Sequence, residues 1–235
     1  MIKAIGFLES CFAEKFGTPR QPMLVPAAAA KLKIFKQFIP EQSLKGLEEF
    51  SHVWLLSWFH LNTNKSFKST VHPPRLKGKT VGVFASRSPH RPSPIGLSVA
   101  KLEKIEGDTL YLSGADLVDG TPILDIKPYI PSYDLIARAK SGWTGRAGRA
   151  ELKVAFAPGF TVAPALKKLL SQILKQDLRN PRDRSQLQDG REHELRLKDC
   201  SVTYEVRGKT ARVTSIGPAL AKDYAKPGRV PKELL

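Results

Sequence analysis

Apolar residues fall in short runs through the first 130 or so positions, and turn residues separate the runs. "KAIGFLES" is a brief strand-like run bounded by polar residues. "GKTVGVFAS" is rich in β-branched residues and follows "HPPRLKGK", whose prolines exclude a helix interior. "IGLSVAKLEKI" and "DTLYLSGADLV" are divided by "EGD", a hairpin-type turn, and "TPILDIKPYIP" follows a second turn signal, "VDG". "HVWLLSWFHL" fits a strand or a buried helix equally well. Many short strands joined by tight turns predict a closed or nearly closed β-barrel.

The pattern changes after Pro131. "SGWTGRAGRA" is Gly-rich and basic, without apolar periodicity, and predicts a linker or a mobile loop. Beyond it, "APALKKLLSQILKQDL" places Leu166, Leu169, Leu170, Ile173 and Leu174 on one helical face and lysines on the other. In "CSVTYEVRGKTARVTSI", Val202, Tyr204 and Val206 alternate with Thr203, Glu205 and Arg207, and "RGK" makes the turn of a hairpin. One helix and one hairpin bury little area alone, so this unit is expected to lean on the barrel or on another subunit. "AKDYAKPGRVPKELL" reads as a loosely ordered tail. The expected fold is mainly β with α+β character. A small non-Rossmann barrel takes residues 1–134, a basic linker 135–150, and a smaller α+β unit 151–235.

Charge narrows the partners. The 235 residues carry a formal charge of +16. That is more than solubility asks for and points to a polyanionic partner, most often nucleic acid. A basic enzyme without an acidic partner is the plainer alternative. No amphipathic basic helix supports a membrane surface, and no run of about 18 apolar residues supports a span. The N-terminus has no signal-peptide pattern. Cys11 and Cys200 are two, far apart and without C-x-x-C spacing, as in a reduced, cytoplasmic protein.

Several familiar chemistries are missing. There is no G-x-x-x-x-G-K-[ST] loop and no G-x-G-x-x-G fingerprint between a strand and a helix. The histidines, His52, His60, His72, His90 and His193, lack metal-ligand spacing, so no metal is expected.

The least ordinary stretch is "FASRSPHRPSPIGLS", Phe84 to Ser98, which sets Arg87, His90 and Arg91 among Pro89, Pro92 and Pro94. Each proline fixes its own φ and restricts the residue before it, so the loop has few conformations to lose on binding. Arg87 and Arg91 offer forked donors to a carboxylate, a phosphate or an adenine face. A surface turn joining two strands is the competing explanation. "FGTPRQP" brackets Arg20 and Gln21 with prolines, and "VHPPRLKG" does the same for Arg75. "GADLVDGTPILDIKPYIP" gathers Asp116, Asp119 and Asp125 near Lys127. Such carboxylates bind hydroxyls or an ammonium or act as bases, although Asp119-Gly120 is also a strong turn dipeptide. His60 ends an apolar run as an edge residue or a catalyst. Trp54 and Trp58 are expected in the core. Trp143, among arginines, suits stacking on an unpaired base, or is incidental to a mobile loop.

Taken together, these segments resemble the YaeB-like (TsaA/TrmO-type) β-barrel methyltransferases. "GTPRQP", "GLEEFSHVWLLSWFH", "HPPRLKG", "GVFASRSPHRPSPIGLS" and "DLVDGTPILDIKPYIP" stand in that family's order. The likeness is strongest from Ile5 to Pro131 and weaker after Glu151. It implies S-adenosylmethionine as cofactor, held without a Rossmann fold on a homodimeric barrel. It also implies methylation of the threonylcarbamoyl-adenosine beside the tRNA anticodon. By motif, the cofactor wall would comprise Pro19, Arg20, Gln21, His60, Leu61, Arg87, Leu97, Asp116, Leu117, Val118 and Asp119. On chemical grounds the released proton would pass to Asp119 or Asp125, to His60, or to water. For the RNA, Arg91, His90, Arg146, Arg149, Asp177 and Arg179 are the candidate contacts. In the C-terminal unit "QDLRNPRDR" keeps Asp177, Arg179 and Pro181 of the family's Asp-Pro-Arg-Pro-x-x-Arg pattern but has Leu178 in place of a proline. Ser86 stands where threonine is common, and Ser93 where asparagine is. A non-catalytic RNA-binding barrel is the rival expectation, and an enzyme of anionic metabolites a third.

Overall fold

The computed structural model describes residues 2–62, 67–76, 78–146, 151–159, 161–179, 190–219 and 234. Its first part holds eight strands in chain order. They are β1 (Gly6–Ser10), β2 (Ala29–Ile34), β3 (His52–Trp58), β4 (Thr70–Val71), β5 (Val81–Gly82), β6 (Ile95–Glu106), β7 (Thr109–Ser113) and β8 (Thr121–Pro128). Six close into a barrel in the order β1-β2-β7-β6-β3-β8, and every pairing is antiparallel. Side chains alternate across a strand, so Val53 and Leu55 of β3, Leu110 and Leu112 of β7 and Ile123 of β8 fill the interior. The "EGD" turn closes β6 onto β7 through Gly107 at φ 59°, where a side chain would be strained.

"HVWLLSWFHL" resolves as strand β3, because its alternate residues pack into the barrel. Trp54 and Trp58 depart from expectation. They lie half-buried on the outer face, where Trp54 packs on Tyr129 with ring centroids 5.5 Å apart. "GVFAS" is strand only to Gly82. The Val83 carbonyl accepts the Ser86 N–H and hydroxyl and an Arg91 guanidinium N–H, and these bonds wind a turn in place of a ladder.

The second part contains β9 (Lys153–Phe156), β10 (Glu192–Arg196), β11 (Cys200–Arg207) and β12 (Thr210–Pro218) in one sheet, ordered β10-β11-β12-β9. The expected helix spans Pro164–Lys175 and buries Leu170, Ile173 and Leu174, with Leu166 and Leu169 partly covered. The expected hairpin is β11–β12, with Val202, Tyr204 and Val206 inside. This unit does lean on the barrel: Phe12, Val25 and Ala28, from the β1–β2 connection, belong to its core. Phe12 forms an antiparallel bridge with Leu197, and Gln172 Oε1 accepts the Ala27 N–H at 2.8 Å. Of the expected linker, Trp143–Arg146 is a short helix, while 147–150 lie outside the described residues. In the expected tail, only Leu234 is described. It is buried, and its carbonyl accepts the Ala4 N–H at 2.8 Å.

Candidate cofactor site

Antiparallel order brings the end of β1, the end of β3, the start of β6, the end of β7 and the start of β8 to one rim of the barrel. The segment after β7 is fastened to β1 there. Ser10 donates its N–H to Asp119 Oδ1 at 2.8 Å and its hydroxyl to the Leu117 carbonyl at 2.8 Å. Asp119 and Gly120 return their N–H groups to the Phe12 and Leu8 carbonyls. These bonds hold Asp116, Leu117, Val118 and Asp119 as a fixed edge.

Asp116 lies at that edge beneath β6. Ser98 Oγ donates to its Oδ1 at 2.5 Å. Burial pushes the Asp116 carboxyl up to about 6, against the opposing pull of the Ser98 hydroxyl, its own backbone N–H and the Arg87 charge. Arg87 in turn donates from Nη1 to Gln21 Oε1 at 2.6 Å. Gln21–Arg87 and Ser98–Asp116 are two hydrogen-bonded pairs, and the Arg87 charge acts on Asp116 without a direct bond, so "GTPRQP", the Pro/Arg loop and "GADLVDG" meet electrostatically at this rim. Pro19 is buried beside it and Arg20 is exposed.

His60 and Leu61 close the same rim after β3. His60 is buried, and burial lowers its pKa. Its backbone bond to Trp58 and the Asp119 charge raise the pKa, while the Lys15 charge adds to the lowering. The imidazole is thus neutral at pH 7. Lys15 Nζ donates to the Leu61 carbonyl at 2.6 Å, and Asn62 Nδ2 to the Pro89 carbonyl at 2.7 Å, which ties this turn to the Pro/Arg loop. Space is tight at the crossing: a Cβ on Gly96 would lie 2.5 Å from Ser57 Oγ and 2.8 Å from the Phe59 ring.

Other expected site residues lie elsewhere. Leu97 and Asp125 both pair with Leu56 and turn to the outer face, where Leu97 is 56 % exposed. Asp125 forms an ion pair with Lys127 at 2.9 Å. It lines a cavity of about 590 Å³ with Ile5, Ile34 and Phe38, near the opposite end of β1. As a proton acceptor for chemistry at the rim it is misplaced. Arg91 is turned inward on its own loop: Nη1 bonds the Val83 and Ser86 carbonyls at 3.3 and 2.8 Å. His90 is half-buried in that loop, its N–H on Ser88 Oγ at 3.3 Å. Trp143 spends its indole N–H on the Ala85 carbonyl at 2.8 Å, anchoring its helix to the Pro/Arg loop. Arg146 is exposed at that helix's end, and Arg149 and Pro181 lie outside the described residues. Asp177 and Arg179 form a two-pronged ion pair with side chains 3 % and 11 % exposed. Burial first, then the nearby Asp177 charge, raises the pKa of the Tyr204 phenol. The Asp177–Arg179 pair stands just past the end of the helix, close enough to Tyr204 for both charges to act on its phenol.

Sequence reasoning missed Ser10, Lys15, Asn62, Ser98 and Lys198. Lys198 reaches Asp119 Oδ1 at 3.3 Å across 79 positions, and no local pattern marks such a contact.

Comparison with known proteins agrees with this architecture. Residues 7–135 match the family model described as the tRNA-methyltransferase O N-terminal domain. A tRNA (adenine(37)-N6)-methyltransferase of Mus musculus is 59 % identical over 136 residues, covering 57 % of this chain and 32 % of that protein. The chain therefore spans about a third of that relative's length. RcsF of Pseudomonas aeruginosa, named for S-adenosylmethionine-dependent methyl transfer, is 42 % identical over 215 residues, or 86 % of this chain and 90 % of that one. The crystal structure of TrmO from Pseudomonas aeruginosa superposes with a TM-score of 0.75 at 36 % identity, covering 92 % of this chain and 98 % of the other. By its barrel, its rim and these matches over most of its length, the chain belongs to the tRNA-methyltransferase O family.

Proposed function

We propose that the protein transfers a methyl group from S-adenosylmethionine to N6 of threonylcarbamoyl-adenosine beside the tRNA anticodon. The observation that carries this reading is the pair of hydrogen bonds Arg87–Gln21 and Ser98–Asp116 on the barrel rim, built from the segments that carry the family resemblance. The names of the relatives supply the reaction class.

The chemistry asks mainly for alignment. Bound at the rim, the donor would supply a sulfonium methyl group to the substrate nitrogen, with the S–CH3 electron pair left on sulfur. A rim held by backbone bonds suits such in-line placement, and positioning supplies most of the acceleration. The N6 proton would leave to Asp119, to His60 or to water, while Asp125 is ion-paired with Lys127 away from the rim. The donor's carboxylate and ammonium meet Arg87 and the rim carboxylates. For the RNA, the lysine face of the helix, with Lys167 and Lys168 exposed, and Arg146 supply positive charge.

The homodimer also belongs to this proposal. Its support is an apolar outer face in which Trp54, Leu56, Trp58 and Val99 are half-buried and Leu97 exposed. Exposed Tyr133, Leu135 and Ile136 follow β8. A reduced, cytoplasmic setting fits the unpaired thiols of Cys11 and Cys200.

The test is mass analysis of tRNA nucleosides after incubation with the donor. A gain of one methyl on threonylcarbamoyl-adenosine is expected. In parallel, Arg87→Ala is expected to weaken donor binding in calorimetry by about tenfold, the loss of a charge-assisted contact. Saturable tRNA binding with no donor heat and no methylated nucleoside would favour the non-catalytic RNA-binding barrel instead.

A further inference from the structure

Lys198 occupies the tip of the β10–β11 hairpin, and three contacts seat that tip on the rim. Its backbone N–H donates to the Cys11 carbonyl at 2.9 Å. Its neighbour Leu197 bridges Phe12, whose carbonyl accepts the Asp119 N–H at 2.8 Å. Its ammonium lies 3.3 Å from Asp119 Oδ1. The tip therefore grips the same few residues that carry Asp119.

The ion pair is open to water, with side chains 43 % and 31 % exposed, so it adds little to stability. Its geometry is more telling. The Ser10 N–H and the Lys198 ammonium both take Oδ1. Among the described residues, Oδ2 accepts no hydrogen bond. A carboxylate pinned through one oxygen presents the other at a fixed place. We infer that Lys198 is a positioning residue of the methyl-donor site. It fixes the Asp119 rotamer so that Oδ2 accepts an O–H or N–H of the adenosyl donor, its ribose hydroxyls or its ammonium. The C-terminal unit is then a structural part of the cofactor site as well as a candidate RNA surface. This rests on the function proposed above. It also makes donor binding and seating of the hairpin tip mutually reinforcing.

The experiment is calorimetric titration of the full chain with S-adenosylmethionine, for wild type, Lys198→Met, Lys198→Arg, Asp119→Asn and the Lys198→Met/Asp119→Asn double variant. Melting temperatures are read alongside. Lys198→Met is expected to bind donor about three- to tenfold more weakly with little change in melting temperature. Lys198→Arg should stay near wild type. In the Asp119→Asn background, Lys198→Met should change donor affinity no further. Unchanged affinity in Lys198→Met overturns this inference alone, as does an equal loss in both backgrounds. Absence of saturable donor binding by the wild type overturns the proposed function and this inference together.

Discussion

Asp116 shows how a single half-buried carboxylate can be read two ways. Its pKa rises from 3.8 to about 6, so the folded chain holds this proton more tightly than the unfolded chain does. The stability contributed by the protonated form is present below about pH 3.8 and is lost as pH rises through about 6. At pH 8 the ionised group is therefore a cost to the fold. Asp116→Asn, which keeps an acceptor for Ser98, should be more stable than wild type at pH 8 by about 1–2 kcal/mol, with the gap closing toward pH 4. Thermal melts at the two pH values check this, and equal stability at pH 8 would refute it. The same variant should bind donor less well, because the charge facing Arg87 is gone. At this scale the sequence was informative where a motif is contiguous. Gln21, Arg87 and Asp116 are each marked by their own segment. Ser98 and Lys198 are ordinary residues in ordinary strands and turns, and only the closed barrel and the docked hairpin give them a task.

The Pro/Arg loop is the element on which the site depends, and its stiffness has two sources. The prolines, visible in the sequence, fix φ. The second source is invisible there: Arg91 bonds two carbonyls of its own loop, and Ser86 and Ser88 accept the N–H groups of Ser88 and His90. Of two arginines expected to reach outward, one is therefore a brace for the other. Arg91→Met should raise amide exchange across residues 83–94 by about tenfold or more, the worth of a charge-assisted hydrogen bond, and weaken donor binding through Arg87. Exchange rates matching wild type would show that the prolines alone suffice. Other elements were less legible. Strand β2, "AAKLKI", takes four of its six residues from alanine and lysine, which propensity does not assign to strands, and it forms because β1 and β7 pair with it on both sides. Its buried Ala30, Leu32 and Ile34 do alternate, but only the neighbouring strands make that alternation decisive.

For the whole molecule, two questions are charge and self-association. The +16 balance implies a polyanion but not its identity, and among the described residues the closed barrel keeps an apolar outer face with Leu97 exposed. If that face joins two copies, Leu97→Glu should convert a particle of about twice the 26.0 kDa chain mass into a monomer. Sedimentation at matched concentrations reads the change, and a wild-type monomer would remove the homodimer from the proposal. The sequence anticipated a barrel and a smaller C-terminal unit leaning on it. The residues through which they share a core, Phe12, Val25 and Ala28, lie in a connection that no local pattern marks.

Phe12, Val25 and Ala28 precede the second core by most of the chain's length yet belong to it. During synthesis the ribosome releases them long before Leu195, Leu197 and Val213 emerge to cover them. The barrel can pair its strands early, but the "GTPRQP" connection stays uncovered until the last sheet is made. A nascent chain halted before residue 195 would carry an unfinished cofactor wall and an apolar patch inviting chaperones or aggregation.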